Sequence, residues 1–439
     1  MKKTTALLIN PLVCDFKLYD EWMHPVGLYL LYDFLEKSGI STHFFNFLDP
    51  GFHTQKKKHG TGSFEYVEIT KPDLYQSIKR KYKLYGRSAQ SFITFLSTIP
   101  RPDIVCIGGT MTYWAPGIIE TYKLIRQHLP ETTILCGGIA AQLIPDYLAA
   151  NMPCCKIIGN IERLQSISVP DINFGNLPID LSRLSMNSCL ATYSSLPHAP
   201  VLLSLGCPMR CSYCASGILQ PNHQVRDIDI VISEVASIIE QRGTTDFAFY
   251  DDALLYQKES ILFPFLERIG APGKKVRFHT PNGLHVRYMD NCILDKMIHA
   301  GLETLRFGYE SGQSQHHTAV SGKVNREQLA KKVSMALASG FSGRQIGVYV
   351  MGGLPRQTPE DLCEEMDFIH SLGVSAKPVF ISPVPGTALF KDYAASFPEI
   401  KTDPLWHNDT FFITNLECWD DAGIETIRQK ARKLNSSLQ

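Results

Sequence analysis

The chain has 439 residues, enough for two or three domains with ample core. Lys plus Arg equals Asp plus Glu at 43 each, so the formal net charge is zero and no global basic field points to nucleic acid. Twelve cysteines are too sparse for a secreted disulfide scaffold, and the clustering of three of them favours a reducing compartment and metal binding.

The N-terminus is basic and then apolar, but Asn10-Pro11 cuts the apolar run too short for a signal peptide, so residues 6–10 read as a buried strand. No stretch approaches the roughly 20 apolar residues of a membrane span, and a cytoplasmic location is expected. Residues 27–38 carry helical apolar spacing and stop at Gly39, a fitting C-cap. Residues 42–48 read as the next strand, closed by Asp49-Pro50-Gly51. From 53 to 87 the chain is basic and rich in tyrosine, and is expected to form a solvated insertion with an exposed helix. Strands follow at 103–108, 132–136 and 156–158, with a helix at 115–129 between the first two. This alternation predicts a doubly wound parallel sheet, whose ligand loops would be 11–27, 108–116 and 137–146 at the strands' carboxyl ends.

Residues 166–198 are rich in Ser, Pro and Asn without periodicity and read as a linker between a first domain (1–165) and a second (199–395). The second shows strands at 201–205, 246–250, 276–280, 304–309, 346–351 and 378–381, separated by helices at 228–242, 290–300, 326–339 and 358–372. An aromatic tail and a helix (422–434) complete the chain from 396 to 439, the aromatic rings being expected to pack on the barrel. The loop leaving the first of these strands reads Gly206-Cys207-Pro208-Met209-Arg210-Cys211-Ser212-Tyr213-Cys214. Three thiolates on one loop can converge on one metal centre, one ligand short of a closed zinc site and suited to an iron–sulfur cluster with an open iron.

This spacing, with Tyr213 before the last cysteine, resembles the signature of the radical S-adenosylmethionine (radical SAM) enzymes. The resemblance implies a partial (βα)6 radical SAM barrel after the Rossmann-like sheet, with chemistry at the strands' carboxyl mouth. It implies that Cys207, Cys211 and Cys214 hold a [4Fe-4S] cluster whose fourth iron is chelated by S-adenosylmethionine. It further implies cofactor contacts from Tyr213, Tyr250, Asp251, Asp252, Asn282, Glu310, Ser311, Gly352 and Gly353, each at a successive strand end. An external electron donor such as flavodoxin or ferredoxin is implied as partner. No residue is singled out as catalytic, and the substrate, whether peptide, lipid or small metabolite, is not legible.

The first domain resembles the cobalamin-binding domain that precedes the barrel in one radical SAM branch. The residues carrying this are His24, Gly27, Gly108, Gly109, Thr110, Gly137 and Gly138, where glycines would let the chain approach the corrin. The loop departs from the Asp-x-His-x-x-Gly pattern of histidine-ligated cobalamin, because Trp22 stands at the aspartate position. A packed loop histidine is therefore the preferred reading of His24. The expected function is reductive cleavage of S-adenosylmethionine for cobalamin-dependent methylation, cyclisation or rearrangement at an unactivated carbon. The alternatives are a methylthiotransferase, for which Cys14, Cys106 and Cys136 would hold a second cluster; a radical SAM enzyme with a cofactor-free first domain; and a non-enzymatic metal-binding or sensor protein.

Overall fold

The computed structural model describes residues 4–169, 172, 174, 179–269, 276–312 and 324–438. It divides into two compact units: Met1–Ala199 with Ser233–Thr244 and Glu399–Trp406, and Pro200–Ile232 with Thr245–Pro398 and His407–Gln439.

In the first unit, β1 (Thr5–Asn10) is flanked by β2 (Ser41–Asn46) and β3 (Ile104–Ile107), followed by β4 (Thr133–Gly137) and β5 (Cys155–Gly159) in the order β5-β4-β3-β1-β2. All pairings are parallel. Ala6, Leu7, Leu8 and Ile9 are completely buried, as expected of a central strand covered on both faces. Helix α1 (Val26–Lys37) links β1 to β2 and ends where Gly39, at φ +80°, donates its amide to Glu36. Helix α2 (Ala115–His128) packs Ile118 and Ile125 against Leu7, Ile9 and Val105. The order reverses at β1, so the loops after β1 and β3 diverge and leave a crevice at the carboxyl edge.

The exposed helix expected between 53 and 87 is absent. Tyr66–Glu68 and Lys83–Tyr85 instead join Val13–Asp15 in an antiparallel sheet. Tyr75 and Tyr82 are buried because they close around Phe16, with ring centroids 5.0 and 5.1 Å away. Lys56, Lys57 and Lys58 are exposed as expected.

Residues 170, 171, 173 and 175–178 of the segment read as linker lie outside the described residues. Beyond them, Met186, Cys189, Leu190 and Tyr193 are buried within the first unit.

The sheet of the second unit follows chain order. Strand β6 (Ala199–Val201) is its first member, and the chain breaks step before β7 (Ser204–Leu205), which pairs antiparallel with β8 (Gln224–Val225). The sheet continues with β9 (Asp246–Phe249), β10 (Arg277–His279), β12 (Leu302–Glu310), β13 (Ile346–Gly352) and β14 (Ser375–Phe380), while β11 (Leu284–His285) pairs with β12. The pairings from β9 to β14 are parallel. Helices α3 (Ile228–Arg242), α4 (Leu262–Ile269), α5 (Asn291–His299), α6 (Arg326–Ala338) and α7 (Pro359–Ser371) lie between strands, and β6 and β14 are the edges of an open sheet. In the tail, Phe412 meets Tyr393 and Phe397 edge-on, and Trp419 donates its indole N–H to the carbonyl of Gln357 at 2.8 Å. Helix α8 (Asp421–Ser436) docks through Asn435, whose side chain bonds both the amide and the carbonyl of Ala376.

Gly117 sets the approach of α2 to the loop after β1: a Cβ there would lie 2.1 Å from the carbonyl oxygen of Leu12. Gly117→Ala is expected to lower stability by about 1–3 kcal/mol, measured by thermal melting, because the helix must shift off its seat.

Candidate active site and the first-unit crevice

The three clustered cysteines follow β7 on a loop that begins at Gly206, φ +78°, where a Cβ would lie 2.8 Å from the carbonyl of Asn222. The loop closes on itself through the amide of Cys214 to the carbonyl of Cys211 (3.1 Å). It is held from outside by the amide of Leu389 to the carbonyl of Ser212 (2.9 Å). None of the three is in a disulfide, and two are partly buried with the third exposed. Burial pushes the Cys207 thiol up, and the nearby Asp252, Cys214 and Cys211 add to it, while a Met209 amide bond works the other way. Crowded thiols of this kind are relieved by a shared cation.

Cys207, Cys211 and Cys214 line one cavity of about 400 Å³ together with Tyr213, Asp251, Asp252, Asn282 and Glu310. The sequence expectation therefore brings together residues from the ends of β7, β9, β10 and β12. Glu310 is 5% exposed and adopts φ +68°, an uncommon backbone state for a non-glycine residue and one that clusters at functional sites. The Tyr213 hydroxyl donates to Glu310 Oε1 at 2.6 Å, and burial together with that carboxylate pushes the phenol's pKa far up, so it stays protonated as the donor. Asp252 is held above the usual carboxylate range by desolvation, with a Ser216 hydrogen bond opposing.

Asp251 behaves differently. Its Oδ1 accepts from the amide and hydroxyl of Ser204 (2.6 and 2.7 Å), and its Oδ2 from the amide of Leu203 (3.0 Å). Burial pushes its pKa up to about 6 while these donors act downward.

Tyr250, Ser311, Gly352 and Gly353 lie outside the cavity lining. The carbonyl of Tyr250 accepts from Asn282 Nδ2 at 3.2 Å. The glycine pair has a packing cause: a Cβ on Gly352 would meet Leu362 at 2.8 Å, and one on Gly353 would meet Ile381 at 2.8 Å and Ile413 at 3.0 Å. Lining residues that the sequence did not single out include Met209, Tyr256, His285, Tyr288, Tyr349 and Met351. Tyr349 and Met351 alternate with buried Val350 on β13, a period-2 signal that placed the strand but not its cavity face.

In the first unit, a smaller cavity of about 40 Å³ sits at the reversal of strand order, lined by Asn10, Leu12, His24, Leu48, Thr110 and Trp114, among others. Gly108 and Gly109 lie at the end of β3, and Gly137 and Gly138 at the end of β4. Gly138, at φ +94°, would place a Cβ 2.5 Å from the carbonyl oxygen of Gly109, so this pair brings the two loops into contact. Those loops expose Met111 and Ile139, and Gly27 has open space around it.

His24 is buried, and both ring nitrogens are engaged: Nδ1 with the Tyr29 hydroxyl at 2.9 Å and Nε2 with His198 Nδ1 at 2.8 Å. His198 Nε2 lies 2.9 Å from Asp20 Oδ2, which also meets His53 Nε2 at 2.8 Å. Beyond Tyr29 the chain of bonds continues to Tyr193 (2.6 Å), Asn46 and Asn10.

Residues 201–369 match the model of the Radical SAM superfamily. The chain is 22% identical over 301 residues to the uncharacterized methyltransferase PH0819 of Pyrococcus horikoshii, covering 68% of this chain and 61% of that protein. It is 26% identical over 222 residues to the ribosomal protein uS12 methylthiotransferase RimO of Bacteroides thetaiotaomicron, covering 46% of this chain and 48% of that one. It thus spans less than two thirds of the curated relatives it matches. Its fold is similar to that of the radical S-adenosylmethionine methyltransferase TsrM from Kitasatospora setae, solved with cobalamin and a [4Fe-4S] cluster. The TM-score is 0.61 at 15% identity, over 92% of this chain and 80% of that one.

Burial holds the His24 pKa well below the usual histidine value, with His198 adding to the shift and Asp20 opposing it. A depressed histidine is neutral when folded, so its contribution is full above about pH 6.5 and lost as the pH falls below that, at up to about 1.4 kcal/mol per pH unit. Chemical denaturation between pH 7.5 and 5.5, followed by hydrogen exchange on peptides from the first unit, is expected to show this slope. His24→Gln is expected to be less stable but to have a flatter slope.

Proposed function

Starting from a chain that carries a radical SAM domain over residues 201–369, we propose that it binds a [4Fe-4S] cluster and S-adenosylmethionine in the second-unit cavity and transfers a methyl group to an unactivated carbon. The observation that carries this reading is the convergence of three cysteines outside any disulfide, Asp252 and the strained Glu310 on one cavity of about 400 Å³. Cys207, Cys211 and Cys214 fit three irons of the cluster, and three protein thiolates leave one iron open. A bound cluster would supply, from an external donor, the electron for reductive cleavage of S-adenosylmethionine and so the radical chemistry of the site.

The chain's own residues then bind and orient. Glu310 presents a carboxylate to the polar part of the cofactor, fixed in direction by the Tyr213 hydroxyl. Asp252 faces the same space beside Cys207 and is suited to the cofactor's ammonium group. Asn282 ties the end of β9 to that of β10 through the carbonyls of Tyr250 and Asp251. Tyr256, Tyr288, Tyr349 and Met351 supply apolar wall against the adenosyl moiety and limit water near the radical. An external one-electron donor such as flavodoxin or ferredoxin completes the reading.

The carboxyl edge of the first unit is the proposed cobalamin surface. Its crevice lies where strand order reverses, Thr110 lines it, and exposed Met111 and Ile139 with Gly138 offer an apolar rim. When bound there, cobalamin supplies the methyl carrier. His24 is not assigned as cobalt ligand, because both ring nitrogens already carry hydrogen bonds. The methylthiotransferase reading is not favoured. Cys106 and Cys136 lie within β3 and β4 and are almost fully buried; burial pushes the thiols of Cys14 and Cys106 up to about 12.

Anaerobic reconstitution with iron and sulfide, followed by dithionite and S-adenosylmethionine, is expected to give 5′-deoxyadenosine. Replacing any one of the three cysteines by alanine should reduce product to the level of a no-enzyme control. No product from the loaded wild-type protein would refute the assignment. Tyr213→Phe is expected to retain the cluster but weaken S-adenosylmethionine binding about tenfold, as for one lost hydrogen bond to a charged group. Added cobalamin is expected to co-purify, read from visible absorption.

A further inference from the structure

The end of β9 carries two adjacent carboxylates, and the structure gives them different surroundings. Asp252 is exposed toward the cavity, whereas Asp251 is 3% exposed and both its oxygens accept from the protein's own backbone and Ser204. The donors belong to Leu203 and Ser204, within the step between β6 and β7 and immediately before Gly206 and Cys207.

The step needs such a partner. Between Val201 and Ser204 the chain leaves the sheet, and the amides there lose their ladder acceptors in a buried setting. Arg226, 2% exposed, covers the other polarity: its guanidinium donates to the carbonyl of Leu202 (3.0 Å) and its amide to that of Leu203 (2.8 Å). The broken stretch is thus gripped by a carboxylate on its N–H groups and a guanidinium on its C=O side. Asn282 in turn holds the carbonyl of Asp251 at 3.4 Å.

We infer that Asp251, with Arg226, is a positioning residue that fixes the take-off of the cysteine loop, and that it does not touch S-adenosylmethionine. The inference rests on the reading that the three cysteines hold the cluster. A carboxylate is the suited group because it offers two acceptor oxygens and no donor to a site presenting only donors. An amide at the same place would turn an NH2 toward one of the backbone N–H groups, leaving it unsatisfied.

The test uses the full chain with Asp251→Asn and Ser204→Ala, the latter removing one of three bonds while keeping both amide contacts. In the apoprotein, the amides of Leu203 and Ser204 are expected to exchange about tenfold faster in Asp251→Asn and about threefold faster in Ser204→Ala, with β13 unaffected. After anaerobic reconstitution, the reduced cluster without S-adenosylmethionine is expected to show a shifted EPR signal and reduced iron content in Asp251→Asn. S-adenosylmethionine Kd on the loaded fraction should change less than about threefold.

Wild-type exchange at residues 203 and 204 in both variants would overturn the inference. So would a wild-type cluster signal combined with a Kd raised about tenfold or more, which would make Asp251 a cofactor ligand. Should Asp251→Asn not fold, Ser204→Ala alone decides by the same two readouts. A wild-type chain that takes up no iron would refute the cluster reading, while the apoprotein exchange would still decide what Asp251 holds.

Discussion

One buried carboxylate allows the first strand of the second unit to break without leaving its amides unpaired. The run 201–205 would ordinarily form one strand, but the chain pairs in the sheet only as Ala199–Val201 and resumes as Ser204–Leu205 beside Gln224–Val225. The break turns the chain out of the sheet plane before Cys207, and the bonds of Asp251 to Leu203 and Ser204 replace the lost ladder. A loop meant to hold three ligands about one centre must start from a fixed point, because an ångström of slack at its root is transmitted to every thiol. Asp251, Arg226 and the Leu389–Ser212 bond supply three such points from separate parts of the second unit.

Much of this architecture was legible because it is local. The cysteine spacing is a property of eight consecutive residues, and the apolar runs that became β1, β3, β9, β12 and β13 are buried strands with close to the expected ends. What was not legible depends on partners far away in the chain. The tyrosines between 53 and 87 read as a solvated, helical insertion, yet Tyr75 and Tyr82 find Phe16 and form the floor of a small sheet. Composition reports the lysines of such a segment and says nothing about where its rings go.

The same limit applies to glycines and acids at strand ends. Gly352 and Gly353 resemble a cofactor-facing pair, but their close neighbours are Phe380, Ile381, Ile413 and Trp419, so their small size admits the C-terminal tail. Gly138 likewise admits the backbone of Gly109, and Gly109 admits the side chain of Ile118. In the Asp251-Asp252 pair, sequence gives two identical side chains one residue apart. Both lie beyond the end of β9 and line the cavity, but Asp252 is exposed while the Asp251 carboxylate is buried on the amides of Leu203 and Ser204. Only the position of the break in β6–β7 tells which of the two is so engaged.

His24 shows how a departure from a family pattern can be resolved physically. The aspartate absent at position 22 has a counterpart in Asp20, which reaches His24 through His198 instead of directly. One proton order is consistent with these contacts: Asn46 donates to Tyr193, Tyr193 to Tyr29, Tyr29 to His24, His24 to His198, and His198 to Asp20. Every member is buried, so reversing one link would set donor against donor or leave an acceptor empty. A histidine embedded this way has no lone pair to offer a metal. Its role is to fix a wall of the crevice at which Asn10 and His24, the two ends that reach the cavity, are held in register by the same chain.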